Sequence, residues 1–145
     1  MHKLLAQSLL TFANVVVTGA PMLADFNRTH ATNPLWTGHA RYHVVWQAIS
    51  YVLLGVLNLY LIWGEATVSS LALSDAILSC ILISFFITGL NVKRFGGAFY
   101  DSNGYLPWGR LRIFGKQVQI DGNATVATIF SVVLIGASAA ILHAH

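Results

Sequence analysis

Between Asp25 and His43 the chain places three histidines, an aspartate, two asparagines and two arginines in 19 residues. Histidine and aspartate move protons near neutral pH and bind first-row metals, so this is where chemistry is expected. His39 and His43 are four apart and share a helix face, and Gln47 continues that face one turn on. Arg41 lies off that face, suited to a phosphate headgroup, a carboxylate or an anionic part of a substrate. His30 and Asp25 precede the pair, and a turn at Asn33-Pro34 can fold them back toward it. Asp25, His30, His39 and His43 would then form a four-ligand set for a divalent metal, zinc or iron(II). Neutral imidazole is the ligand form, so such a site loads poorly at low pH. The Glu of an H-E-x-x-H zinc-protease motif is absent. Two other readings stay open. One is a metal-free acid–base or ligand-binding site, with Asn27, Asn33, Trp36 and Gln47 lining it. The other is an interfacial knot of hydrogen bonds in which Asn27 and Asp25 cap turns.

These residues interrupt a very apolar chain. Of 145 residues, 56 % are hydrophobic and 9 % charged, against about 25 % charged in a soluble domain. We read an integral membrane protein of one domain, all-α, a four-helix bundle. A bilayer core needs about 20 apolar residues per helix. Residues 4–24, 39–63, 66–92 and 123–142 qualify, with Gly64 and Glu65 joining the second span to the third. The first is read as a retained span, because Met22 fits a signal-peptide cleavage site poorly. Thr37-Gly38 is the expected N-cap region of the second span. Arg28, Arg41, Lys93, Arg94, Arg110, Arg112 and Lys116 fall on the side of loops 25–38 and 93–122, and Lys3 on the other. The positive-inside rule then puts both loops in the cytoplasm and both termini outside, in a multi-pass protein of the inner (cytoplasmic) membrane. Membrane lipids are the expected surroundings. No basic stripe with interleaved aromatics points to nucleic acid.

Inside the bilayer, Gln7, Thr11, Asn14 and Thr18 mark one face of span one, expected to face the bundle. Asp75 is the only acidic residue deep in a span. By the rise of a helix it lies nearly level with Asn14, so an Asn14–Asp75 hydrogen bond is expected, too far from the histidines for metal ligation. Such a carboxylate serves either a proton relay or interhelical packing. Cys80 reads as a small packing residue. In the long loop, Leu111 to Ile120 alternates as a short hairpin turning at Gly115-Lys116. The loop lies on the histidine side, so Tyr100 and Asp101 are candidates to reach the site as part of a lid. Interface anchoring on anionic lipid is the alternative.

The pattern D-x-N-x-T-H (from Asp25), N-P-x-W (from Asn33) and H-A-R-x-H (His39 to His43), followed by R-F-G-G-A-F-Y-D-S-N-G from Arg94, resembles a family of small four-span membrane proteins of bacteria and fungi without an established activity. The resemblance covers roughly half the chain. It implies the four-span fold and a paired use of the two loops. A vaguer similarity to DoxX-like membrane proteins, linked with quinone-coupled respiration, rests on a charged residue opening a glycine-containing span.

The leading functional expectation is an enzyme, metal-dependent or acid–base, acting on a lipid-like or apolar substrate, with Asp25, His30, His39, Arg41 and His43 as the catalytic set. The alternatives are a non-catalytic subunit of a larger membrane complex, for example respiratory and quinone-linked, and a small proton-coupled transporter using Asp75. A quinone ligand and a homo-oligomer both remain compatible. Haem is disfavoured, because His30, His39 and His43 lie in one loop and the helix after it, whereas haem ligation across a bundle needs facing helices.

Overall fold

The computed structural model describes residues 1–100 and 106–144. It consists of α1 (His2–Asp25), α2 (Gly38–Leu59), α3 (Val68–Asn91) and α4 (Gly122–Leu142), with a π-helical turn at Tyr60–Glu65 and a 3₁₀ turn at Val92–Phe95. All four helices, α2 and α3 with these turns appended, are long and apolar enough to cross a membrane. The rings of His2 and His143 lie 5.9 Å apart, which brings the first residues of α1 and the end of α4 together.

Helix starts follow local chemistry. Thr37 caps α2 by accepting from the Ala40 amide at 3.2 Å, as its position predicts. Asp121 does the same for α4 through Ala124. Thr67 caps α3 in a reciprocal box with Ser70. Asp25, expected to open the first loop, is instead the last residue of α1.

The second and third spans are joined differently from the expected Gly64-Glu65 connector. The chain widens into the π turn, and Ala66 takes a left-handed conformation at φ 51. Widened turns leave carbonyls short of partners. Ser70 Oγ donates to the Leu61 carbonyl at 2.9 Å, and Gln7 Nε2 donates to the Ile62 carbonyl at 2.8 Å. Trp63 Nε1 donates to Thr11 Oγ1 at 2.9 Å. The polar face of span one therefore does point inward, and part of it secures this turn.

The core joins Leu10, Ala13 and Val17 of α1 to Leu71 and Leu78 of α3 and Leu134 of α4. α1 packs on the other three helices, whereas α2 and α3 scarcely touch each other. In α2 only Ala48, Gly55 and Asn58 are buried. Gly55 is no helix break. A Cβ there would run into the Thr18 side chain, so glycine permits the close approach of α2 to α1.

Between α3 and α4 lies an antiparallel hairpin, β1 (Gly109–Ile113) and β2 (Lys116–Ile120). Its two-residue loop is Phe114-Gly115, one position before the expected turn. Both residues have positive φ, 48 and 78, as a two-residue hairpin loop of the favoured twist requires. Leu111 and Val118 face each other on one side of the hairpin, Arg110 and Gln119 on the other. Trp108 lies against Gly122, which ties the hairpin to the start of α4.

Candidate functional site

α1 ends where the first loop folds back on it. Asn27 Nδ2 donates to the Ala24 carbonyl at 2.7 Å, which fixes the orientation of its amide. Asn27 Oδ1 then accepts from the Thr29 amide at 2.8 Å and from Thr29 Oγ1 at 2.6 Å. Buried Asn33 donates to the Thr29 carbonyl at 3.0 Å and accepts from the Leu35 amide at 2.9 Å. Short polar side chains that bond nearby backbone build such turns without help from distant residues.

This loop presents His30. Its Nδ1 lies 2.7 Å from Thr29 Oγ1 and 3.8 Å from Asp25 Oδ1. The single Thr29 hydroxyl proton goes to Asn27 Oδ1, since two oxygens 2.6 Å apart need a proton between them. Thr29 Oγ1 is therefore an acceptor toward His30, which assigns a ring proton to Nδ1; in the neutral ring the lone pair is then on Nε2. Asp25 stands beyond hydrogen-bond reach of Nδ1, so it acts on the imidazole through space. The Trp36 ring meets His30 edge-on at 5.3 Å. Both partners of the Asp25–His30 pair are half-buried, with side-chain exposures of 24 % and 29 %.

A second pair sits on the first turns of α2. His39 Nε2 and His43 Nε2 are 3.0 Å apart on the exposed side of the helix. Tyr42 stacks on His39 with ring centroids 6.3 Å apart, and Trp46 lies 5.9 Å from His43. One helical turn deeper, Gln47 Nε2 donates to the Tyr51 hydroxyl at 3.1 Å. His39, His43, Gln47 and Tyr51 thus form a polar ladder along one face of α2.

The expected convergence of Asp25, His30, His39 and His43 is not what the fold produces. Among the described residues, no three His, Cys, Asp or Glu side chains come together as a metal-holding group. The four form two separate pairs. The physical reason is local: the Asn27–Thr29–Asn33 bonds close the loop onto the end of α1, and the i, i+4 histidines satisfy each other. Arg41 is half-buried. Among the described residues, His30–Asp25 is the one pairing of a basic side chain with a carboxylate. Tyr100 is exposed, and Asp101 lies outside the described residues.

No family model, curated protein or solved structure matches this chain. The four-helix, membrane-spanning architecture implied by the motif resemblance is what the structure has; family membership has no match behind it.

The intramembrane polar groups also differ from expectation. Asn14 does not meet Asp75. Its Nδ2 donates to the Gly55 carbonyl at 3.0 Å, and its Oδ1 accepts from Asn58 at 3.2 Å. Asp75 accepts instead from Ser138 Oγ of α4. Helix rise estimates depth along a span, but depth does not choose which neighbour a face meets. Sequence reasoning also missed Thr29, Tyr42 and Tyr51. The signals available were the Asn-x-Thr spacing of an Asx turn and the i, i+4 spacing of Gln47 and Tyr51.

Because α2 and α3 stand apart, a shallow, open apolar cleft runs between them. Tyr51 and Leu54 line one wall, and Leu73, Ala76, Ile77 and Cys80 the other. Cys80, read as a small packing residue, is exposed on this wall.

Proposed function

We propose that this chain is a small enzyme of the inner (cytoplasmic) membrane that performs acid–base chemistry on a lipid-like or apolar substrate. The observation that carries the reading is the Asp25–Thr29–His30 arrangement, in which Thr29 engages Nδ1 and leaves Nε2 as the basic nitrogen of the neutral ring. A general base needs this: a fixed ring, a lone pair available to the substrate, and a nearby negative charge to accompany the proton it takes up. The α2–α3 cleft supports the substrate class. An apolar molecule in the bilayer has a route between the helices, and Tyr51, at the foot of the polar ladder, is part of that cleft. Asn27, Asn33 and Trp36 shape the loop, and Arg41 is the candidate group for an anionic head.

The test compares the apolar metabolites of membranes containing equal amounts of wild-type protein or His30→Asn. A lipid or quinone-like species is expected to change in amount with the wild type only, a general base contributing about 10²–10⁴-fold in rate. Identical profiles, together with a partner chain that copurifies with both proteins in mild detergent, would establish the docking-subunit reading instead. That reading has its own support in the hairpin, where Leu111, Ile113, Phe114 and Val118 are all exposed.

The same proposal places the loop carrying His30 in the cytoplasm, following its basic residues. In a Cys80→Ser background, Thr32→Cys is expected to react with an impermeant maleimide only from the cytoplasmic side, and Glu65→Cys only from outside. Labelling in the reverse sense would invert the topology.

A further inference from the structure

We propose that His39 and His43 form a two-imidazole clamp for a divalent transition metal, independent of the Asp25–His30 pair. Three features of the molecule point to it. The two Nε2 atoms face each other at 3.0 Å. With metal–nitrogen bonds of about 2.0–2.1 Å, two nitrogens on one metal are separated by about 2.9 Å at a right angle and about 3.3 Å at the tetrahedral angle. The observed separation lies between these values, so an ion can replace the shared proton once the two rings, perpendicular at 86°, turn to aim both lone pairs at it. The rings are also supported: Tyr42 contacts both, and Trp46 contacts His43. Side chains already held in place lose less freedom on binding. Finally, neither histidine is covered by the rest of the chain, and both lie at the loop end of α2, so a donor atom of a ligand can complete the coordination sphere.

Imidazole nitrogen suits zinc, copper and nickel, and among divalent ions copper is expected to bind most tightly. The chemistry available is that of an ion with open positions, which can polarise an oxygen of a bound ligand or a water molecule. His2 and His143 offer a second histidine pair near the opposite end of the bundle, so the test must remove it.

The experiment uses untagged full-length protein carrying His2→Ala, His143→Ala and His145→Ala, reconstituted in lipid nanodiscs and titrated with copper(II) and with zinc(II). One ion per chain is expected, and the copper spectrum in electron paramagnetic resonance should show coupling to imidazole nitrogen. His39→Ala and His43→Ala should each weaken binding by about 100-fold, since even an outer partner of a metal-binding histidine is worth about 10–100-fold. His30→Asn should leave the affinity unchanged, which separates this site from the acid–base reading. Helical circular dichroism identical to the parent protein confirms that each variant is folded. Binding that survives the double variant His39→Ala/His43→Ala, or that is lost equally on His30→Asn, overturns the clamp.

Discussion

Gly55→Leu is expected to lower the stability of the bundle by about 3 kcal/mol, the upper end of what overpacking costs. The side chain would enter the space held by Thr18, whose hydroxyl is already committed to the Asn14 carbonyl at 2.7 Å. Thr18 cannot yield without giving up that bond, and Asn14 donates in turn to the Gly55 carbonyl. A larger residue at 55 therefore pushes α2 outward and breaks the contact that carries it. The effect is large because α2 has little else: it packs on α1 and scarcely on α3. Reversible unfolding in mixed detergent micelles measures the change, with Gly55→Ala expected to fall between wild type and Gly55→Leu. A Gly55→Leu protein as stable as wild type would show that α2 is held by other contacts.

Replacing Asp75 with Leu is expected to cost about 1–2 kcal/mol, while Asp75→Asn is tolerated. The carboxylate accepts from Ser138 Oγ across α3 and α4. Interhelical polar bonds in membranes are worth about 0.6–2 kcal/mol, and the Leu variant also leaves the Ser138 hydroxyl to find another partner. Asparagine keeps an acceptor oxygen at the same place. Ser138→Ala should reproduce much of the loss seen with leucine, and combining it with Asp75→Leu should add little further. The alternative role, a proton-coupling residue, makes the opposite forecast for asparagine. Proton flux measured in vesicles would then vanish in Asp75→Asn although the protein remains folded. Unchanged folding and no flux in either protein assign Asp75 to packing.

Much of this protein was legible without coordinates, and the reasons are local. Hydrophobic runs long enough to span a bilayer and a threonine before Gly38 specify where helices lie and where one of them starts, because those effects act within a turn or two of chain. The period of Gln7, Asn14 and Thr18 marked an inward face, since polar groups in hydrocarbon must find protein partners. His39 and His43 were placed together by helical spacing alone, and the hairpin was read from period-two alternation. Partner choice was a different matter. Asn14 met Asn58 rather than Asp75, and Asp75 met Ser138, because helix rotation and neighbour order are set by how whole faces pack. The two histidine pairs stayed apart because the hydrogen bonds of Asn27, Thr29 and Asn33 closed the loop locally, an outcome that competes with convergence and cannot be weighed from composition. The cleft beside Cys80 depends on the distance between α2 and α3. That distance is set by how whole helices pack, long-range geometry that no stretch of sequence carries by itself.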